Sequence, residues 1–352
     1  MRLLVITQRV DLNDPDLGFF HTWLEKLAVQ VDQLLVICLA KGQYDLPANV
    51  TVFSLGKERQ ASRFTYLWRF FSTIWLGRGS YDGVLVHMNP EYVVLGGLMW
   101  RFWGKPVLLW YTHKAVNFRL FLAEKLANKI FTASRESFRL SSLKKTIVGH
   151  GIDADFFSQP TGFLPLAGDT WLLWVGRISP TKDLETVIKS CAELRQSGFN
   201  FYKFTILGQP ITPADNEYKK VLASLVAKLN LEDSIGFRHW RPYLAMPGVY
   251  RRHHLFIHTS KTGSIDKVVL EALASGLYVL SSSEAFRAAA RENIGITSFE
   301  EGNARDLADK IEKLYRSGIL GQPNRRGREW VAKHHNLDRL VGTIIDYFSR
   351  GG

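Results

Sequence analysis

Residues 171–188 read WLLWVGRISPTKDLETVI and predict one strand–loop–helix unit. A continuous apolar run ends at Val175 and Gly176, a polar loop follows, and apolar residues then recur at the 3.6-residue spacing of a helix. The apolar face of that helix comprises Leu184, Val187, Ile188, Cys191 and Leu194. Because a buried strand followed by an amphipathic helix is the repeating unit of α/β proteins, this stretch predicts a parallel sheet covered by helices.

The same alternation extends on both sides of this unit. In the first half, apolar runs that read as strands alternate with helical stretches such as HTWLEKLAVQV and YVVLGGLMWRFW. The first series of strands comprises LLVIT, QLLVICL, TVFSL, GVLVHM, PVLLWYT and KIFTAS. The second series comprises WLLWVG, FTILG, IGF, HLFIHT, LYVLSS and GITSF. Two successive series predict two doubly wound, Rossmann-like α/β domains.

A linker separates the two series. Residues 158–170, SQPTGFLPLAGDT, contain two prolines and two glycines and show no usable period. We therefore expect an N-terminal domain over residues 1–160 and a C-terminal domain over residues 161–336. The last helix, at about 337–352, is expected to pack back on the first domain. Since parallel sheets bind ligands at the carboxyl ends of their strands, we expect the site in a cleft between the domains.

The charge favours an anionic partner. The 352 residues carry a formal net charge of +12, and the first 165 include 19 basic and 13 acidic residues, so both halves are basic. A nucleotide sugar, an anionic membrane surface or nucleic acid would suit this charge, but we find no nucleic-acid-binding motif. With two cysteines, no signal-peptide pattern and no apolar run of about 20 residues, we expect a cytoplasmic protein, free or at the inner face of the membrane.

Two cations lie where the strand of residues 171–176 meets its helix. Arg177 follows the strand directly, and Lys182 precedes the helix, so both can converge at the mouth of the sheet. A guanidinium donates two parallel hydrogen bonds to phosphate oxygens, and an ammonium attracts them as a point charge. A helix N-terminus adds backbone amide donors. Alternatively, both are solvated surface cations, and Asp183 adds a repelling charge.

A second polar loop leads into a helix that carries Glu271. The sequence HTSKTGSIDKVVLEALASG, residues 258–276, follows an apolar strand. A carboxylate in the first turns of such a helix can accept hydrogen bonds from both hydroxyls of a ribose. The alternative is that Glu271 only interacts favourably with the helix dipole.

Together these segments resemble glycosyltransferase family 4. The resemblance is carried by TASRES, GHGID, VGRISPTK, TILGQP, DKVVLEALASG and LYVLSS. It implies a GT-B fold, with two Rossmann-like domains facing across a cleft, and a retaining transfer of sugar from a nucleotide-diphosphate donor. The acceptor would be a glycan or a lipid-linked acceptor. Because the two cations can replace a metal ion, we expect no metal cofactor.

The resemblance also implies roles for single residues. Arg177 and Lys182 match the pair that grips the donor diphosphate, and Glu271 matches the carboxylate that binds the ribose. His113, after PVLLWYT, resembles a histidine on the sugar side of the cleft, and we group it with the two cations as catalytic. The alternative is that His113 is a core histidine at the end of an apolar strand, with its hydrogen bonds formed inside the protein.

Several glycines match glycine positions of the family. Gly208 corresponds to a turn near the nucleotide. Gly18 lies in the first strand-to-helix loop, where the family needs close backbone approach to the phosphates or acceptor. Residues 149–153 resemble an Asn-Gly-Val-Asp segment at the cleft hinge. From this segment we predict that His150 and Gly151 contact substrate, beside Gly149 and Asp153.

One position departs from the family pattern. Gly263 occupies the place of a glutamate that usually lies eight residues before the ribose-binding carboxylate. We predict that the surrounding Gly263, Ser264, Asp266 and Lys267 still contact substrate. Asp266 is able to supply the missing carboxylate, but capping preferences favour an N-cap role for it. Lys267 either assists the phosphates or faces solvent.

Residues 57–78, KERQASRFTYLWRFFSTIWLGR, combine aromatic and basic side chains. As a helix, this segment places Trp68 and Trp75 on one flank and Arg69 on a narrow polar wedge with Ser72 and Thr73. Its apolar face comprises Leu67, Phe70, Phe71 and Ile74, and its surrounding cations are Lys57, Arg59, Arg63 and Arg78. The pattern fits a membrane-surface helix or a core helix that covers the first sheet.

Other interpretations remain open at the sequence level. A nucleotide-sugar epimerase shares the GT-B fold, and the Gly263 replacement is compatible with a binding protein that has lost catalysis. His87 ends a strand and either reaches the cleft or belongs to the core. His253, His254 and His258 lack zinc-ligand spacing and a partner cysteine, so we predict no metal site.

Overall fold

A computed structural model describes residues 1–158, 170–200, 202–261, 263 and 265–351 of the chain. It divides into two compact units. The first contains residues 1–151, 242–244 and 335–352, and the second contains residues 152–241 and 245–334. The boundary lies after Gly151, nine residues before the expected end of the first domain. Most of the predicted linker, residues 159–169, lies outside the described residues.

The first unit is built on a seven-stranded sheet in which neighbouring strands run parallel. The strands are β1 (Arg2–Val10), β2 (Gln33–Lys41), β3 (Val50–Ser54), β4 (Gly83–His87), β5 (Val107–Trp110), β6 (Lys129–Thr132) and β7 (Lys145–Ile147). Their order is β3-β2-β1-β4-β5-β6-β7, so the direction of winding reverses beside β1. The interior residues of β1, β4 and β5 are buried because helices cover both faces.

Four helices connect these strands. They are α1 (Phe19–Ala28), α2 (Arg63–Leu76), α3 (Pro90–Phe102) and α4 (Phe118–Leu126). Helix α1 packs in the core on one face of the sheet, whereas α2, α3 and α4 pack in the core on the other face. Phe70 and Ile74 attach α2 to the sheet, and Arg69 donates to the Leu55 carbonyl oxygen at 3.0 Å. The core interpretation of residues 57–78 therefore holds for one side of α2.

The second unit repeats the plan with six parallel strands. They are β8 (Thr170–Val175), β9 (Tyr202–Leu207), β10 (Ile235–Arg238), β11 (Leu255–His258), β12 (Tyr278–Ser281) and β13 (Ile296–Ser298), in the order β10-β9-β8-β11-β12-β13. Its helices are α5 (Ala154–Phe157), α6 (Leu184–Gln196), α7 (Pro213–Lys228), α8 (Met246–Tyr250), α9 (Lys267–Ala274), α10 (Arg287–Arg291), α11 (Ala304–Arg316) and α12 (Arg325–His334). All five predicted apolar residues of α6 are buried.

The last helix, α13 (Leu337–Ser349), belongs to the first unit. Leu340, Ile344 and Phe348 are buried in the same core as α1 and β1. Gly83 leaves room for it, because a Cβ at that position would lie 2.4 Å from the Phe348 ring. Among the described helices, none combines the length and the hydropathy that crossing a bilayer requires.

Candidate functional site

Most of the predicted binding residues of the second unit lie at one edge of its sheet. Strands β9, β8 and β11 are neighbours, and each is followed by a loop that carries such residues. Arg177 and Lys182 follow β8, Gly208 follows β9, and the loop of Gly263 and Asp266 follows β11. Because parallel neighbours end at the same edge, these loops meet where the winding of the sheet reverses.

Arg177 is held by a buried carboxylate on α7. Its Nε lies 3.0 Å and its Nη2 lies 3.4 Å from the two Asp215 carboxylate oxygens, which is a two-point ion pair. Asp215 forms a reciprocal capping box with Thr212 at the N-terminus of this helix. Burial raises the pKa of Asp215, but backbone and side-chain hydrogen bonds from Thr212, with Ile211 and Arg177, outweigh burial and lower it overall. Arg177 is thereby fixed at a helix N-terminus with nearly half of its side chain exposed.

Lys182 joins a second buried cluster. Its Nζ lies 2.6 Å from Asp266 Oδ2 and 2.9 Å from Ser260 Oγ. The same Asp266 oxygen lies 3.0 Å from His258 Nε2. Burial raises the pKa of Asp266, whereas hydrogen bonds and charges from His258 and Lys182 hold it well below its usual range. A carboxylate that stays ionised therefore fixes the ammonium of Lys182.

Asp266 occupies the expected N-cap position of α9, but the capping hydrogen bond that this role requires of its side chain is absent. Its carboxylate faces Lys182 and His258 instead, because an ion pair with a partly buried ammonium is stronger than one neutral backbone hydrogen bond. The sequence offered one signal for this cluster, namely that His258 ends a strand next to the loop.

The backbone at Gly263 has a φ of +64°, in the left-handed region that favours glycine. A glutamate at this position would be strained. The loop conformation therefore favours glycine over the glutamate of the family pattern. Ser264, which we predicted as a neighbouring contact, lies outside the described residues.

Helix α9 carries two charged residues one turn apart. Glu271 is only 5% exposed, and Tyr250 donates a hydrogen bond to its Oε2 at 3.0 Å. Burial raises the pKa of Glu271, and the charge of Lys267 opposes this shift. The Lys267 ammonium is buried as well, and this burial lowers its pKa to about 7 although Glu271 acts in the other direction. One of the two roles predicted for Lys267 was that it faces solvent, and the buried ammonium contradicts that role.

Gly208 brings the ends of β8 and β9 together. A Cβ at Gly208 would lie 1.9 Å from the Gly176 carbonyl oxygen, so no side chain fits there. The Gly208 amide donates to the carbonyl oxygen of Arg238 at 3.0 Å. Gly208 therefore lies in tight contact with the neighbouring strand end, and its expected place near the nucleotide stays a prediction.

The first unit holds the other predicted residues. Gly18 precedes α1, and a Cβ there would lie 2.7 Å from the Asp14 carbonyl oxygen. His113 is exposed and lies three residues beyond β5, not at its end, and its Nδ1 accepts from the Ala115 amide at 3.1 Å. Both residues follow carboxyl ends of strands in the first sheet, where ligands of parallel sheets bind.

The segment before the boundary is tightly packed. Gly151 has a φ of +70°, and a Cβ there would lie 2.5 Å from the Trp23 ring. Trp23 Nε1 donates to the Gly151 carbonyl oxygen at 3.2 Å, and the His150 amide donates to His335 Nδ1 at 3.1 Å. Gly149 has a φ of +83°, and Asp153 caps α5. These contacts give the segment a structural role, and substrate contact by His150 and Gly151 stays a prediction.

His87 is a core histidine. It is buried, its Nδ1 lies 3.1 Å from Thr7 Oγ1, and its ring stacks on Phe20 with centroids 4.0 Å apart. Across the described parts of the chain, His, Cys, Asp and Glu side chains form no group of three or more that would hold a metal ion. Sequence reasoning missed Asp215, Tyr250 and Ser260 as partners of the predicted residues.

The sequence of the second unit matches a known family. Residues 164–329 match the family described as glycosyl transferases group 1. No curated protein sequence matches the chain significantly.

The fold as a whole is similar to solved structures. Anabaena HepE (Alr3699), solved with UDP, shares 16% identity at a TM-score of 0.79, with 99% of this chain and 100% of that chain covered. Sucrose-phosphate synthase from Thermosynechococcus elongatus shares 14% identity at a TM-score of 0.78, with 99% of each chain covered. UDP-GlcNAc 2-epimerase from Methanocaldococcus jannaschii shares 14% identity at a TM-score of 0.63, with 99% of this chain and 100% of that chain covered. Together with the two parallel sheets, these similarities confirm the predicted GT-B fold.

Proposed function

We propose that this protein is a retaining glycosyltransferase that moves a sugar from a nucleotide-diphosphate donor to a glycan or lipid-linked acceptor. The observation that carries the proposal is the pair of cations at one edge of the second sheet, each held by a carboxylate that is buried or partly buried. Arg177 and Lys182 lie on one loop between β8 and α6, and a diphosphate offers two anionic groups for two such cations.

The cations are positioned before any ligand arrives. Asp215 fixes the guanidinium of Arg177, while Asp266 and Ser260 fix the ammonium of Lys182. The loop is tied to the next strand, because Thr259 donates to the Lys182 carbonyl oxygen and the Lys261 amide donates to Thr181. In a preorganised site, charge that develops on the leaving diphosphate is stabilised without reorganisation during the reaction.

Glu271 is proposed to bind the ribose of the donor. Its carboxylate is buried on α9, and two hydroxyls of a ribose supply hydrogen bonds that a buried carboxylate needs. HepE has been solved with UDP-glucose, so uridine diphosphate is the first nucleotide to test.

The chemistry follows from this placement. As the glycosidic bond breaks, Arg177 and Lys182 neutralise the departing phosphate, and we propose that they take the place of a metal ion. The acceptor approaches the face from which the phosphate leaves, and a phosphate oxygen takes the acceptor proton, which retains the configuration of the sugar. His113 orients sugar or acceptor by a hydrogen bond.

Calorimetry with UDP tests the diphosphate site. Arg177→Ala and Lys182→Ala should each weaken UDP binding about tenfold or more, since each removes a charge-assisted contact. Lys189→Ala is the matched control, because Lys189 lies on α6 with most of its side chain exposed. Unchanged affinity in both site variants would reject the assignment.

A comparison of UDP with pyrophosphate tests Glu271. Glu271→Ala should weaken UDP binding about tenfold and leave pyrophosphate binding unchanged, because pyrophosphate has no ribose. Equal losses for the two ligands would contradict the ribose role, and Tyr250→Phe controls for loss of the hydrogen bond to the carboxylate.

A second candidate is a nucleotide-sugar epimerase, which the similarity to the M. jannaschii enzyme favours. Incubation with UDP-sugars, followed by NMR, separates the candidates. An epimer formed without acceptor indicates the epimerase, and a glycoside formed only with acceptor indicates the transferase. Binding without either product indicates a catalytically inactive protein, to which the glycine at position 263 points.

A further inference from the structure

Helix α2 has an aromatic side that faces solvent. Phe64, Trp68 and Trp75 lie on this side, at spacings of four and seven residues that align side chains along a helix. Phe64 is 79% exposed and Trp68 is 64% exposed, while the opposite side of the helix packs on the sheet through Phe70. A helix that covers a sheet needs only one apolar side, so the aromatic side is not required by the fold.

The two neighbouring helices extend this apolar surface. On α3, Leu98 and Phe102 are exposed one turn apart, and on α4 Phe118 is exposed beside the loop that precedes it. The helices touch, because the rings of Phe70 and Tyr92 are 5.3 Å apart and Arg119 pairs with Glu91 at 2.9 Å. We call this surface the aromatic face. It comprises Phe64, Trp68, Trp75, Leu98, Phe102, Phe118 and Phe121.

The stretch of chain that forms the aromatic face is basic. Residues 57–125 contain ten basic and four acidic residues, a net charge of +6. This net charge equals that of the first 165 residues and is half of the net charge of +12 that the chain carries. Arg78 lies over the Trp75 ring at 5.1 Å, and Lys125 lies over Phe121 at 5.4 Å. Cations and exposed aromatic rings therefore share one side of the first unit.

A cavity of about 480 Å³ opens among these helices. Leu67 and Phe70 of α2 and Leu95 of α3 supply apolar walls. The charged lining consists of Arg63 and of Arg119 in its ion pair with Glu91, so one positive charge is in excess. An apolar cavity lined in part by cations matches the chemistry of a lipid, whose acyl chains are apolar and whose headgroup phosphate is anionic.

We infer that the aromatic face docks on the surface of an anionic lipid bilayer. Exposed aromatic rings partition into the interface between headgroups and acyl chains, and the cations are attracted to anionic headgroups. A second copy of the chain is a poorer occupant, because a symmetric contact would bring two basic surfaces together. This inference does not depend on the transferase proposal, since it uses no residue of the nucleotide site.

Vesicle flotation tests the inference. The full chain should float with vesicles of phosphatidylcholine mixed with phosphatidylglycerol, remain unbound with phosphatidylcholine alone, and be released by high salt. The double variant Phe64→Ser with Trp68→Ser should bind the anionic vesicles at least about tenfold more weakly. Val29→Ser with Leu143→Ser is the matched control, because both residues are exposed and apolar but lie outside the aromatic face.

Three outcomes would overturn the inference. They are absence of flotation with anionic vesicles, equal flotation of the double variant, and a dimer in light scattering that the double variant abolishes while vesicle binding is absent. Binding of single-stranded nucleic acid in preference to anionic vesicles would overturn it as well. Far-ultraviolet circular dichroism and urea denaturation of the double variant show whether it is folded, independently of any nucleotide. Loss of UDP binding in the Arg177 variant bears only on the proposed function.

Discussion

Lys267 shows how one side chain couples the candidate site to stability. Its ammonium is buried on α9, and burial lowers its pKa from 10.5 to about 7. Between these two values the unfolded chain binds a proton that the folded chain does not bind. The free energy of unfolding therefore rises with pH across this window, and the cost of burying the charge is present in full below pH 7.

Replacing this lysine should stabilise the protein. Lys267→Met is expected to raise the free energy of unfolding by about 1–3 kcal/mol near neutral pH, because no ammonium is then buried. The gain should shrink toward pH 10, where the wild-type lysine loses its proton in the unfolded chain too. Urea denaturation at several pH values measures this, with the exposed Lys220→Met as control. A gain that is independent of pH would contradict the explanation.

Helix α7 shows how an element positions a functional group. Its N-terminus holds Asp215, which closes the capping box with Thr212 and pairs with Arg177. The same carboxylate therefore stabilises the helix and orients the guanidinium.

Removing that carboxylate should affect both roles. Asp215→Ala is expected to lower the free energy of unfolding by about 1–3 kcal/mol and to weaken UDP binding less than Arg177→Ala does. Because the folded pKa of Asp215 is lowered, its contribution is present above the unfolded pKa of 3.8 and is lost as the pH falls through the folded value. Thr212→Ala is the control that removes the cap and keeps the ion pair. Equal UDP affinity in wild type and Asp215→Ala would show that Arg177 needs no positioning.

At the scale of the whole molecule, two elements that are separated along the chain by the second unit complete one core. Strand β1 and helix α13 bury side chains in the same cluster of the first unit. Lys26 on α1 also pairs with Asp338 at 2.7 Å. The first unit is therefore complete only after the second has been synthesised.

A core substitution on α13 tests this dependence. Ile344→Ala should lower the free energy of unfolding of the first unit by about 2–5 kcal/mol, because it leaves a cavity beside the sheet. Denaturation followed by tryptophan fluorescence reports on it, since Trp23 and Trp110 lie in the same core. Asp346→Ala, on the exposed side of the helix, is the control. Similar stability of the two variants would show that α13 is dispensable for the first core.

The sequence determined those properties that follow from local periodicity. Continuous apolar runs alternating with amphipathic stretches predicted two parallel α/β units, and the apolar face of α6 was predicted residue by residue. The positions of Arg177 and Lys182 at the end of β8 also followed, because the end of a strand is visible in its own residues.

Only the tertiary structure decided which side chains meet. Asp215 lies 38 residues from Arg177, and Asp266 lies 84 residues from Lys182, so neither pairing has a local signal. Asp266 looked like a helix cap because capping depends on neighbours in the chain, whereas its contacts depend on β8 and β11 being neighbours in the sheet. The two sides of α2 were ambiguous for the same reason: periodicity aligns apolar residues on a helix, and only the packing of the sheet shows which of them remain in solvent.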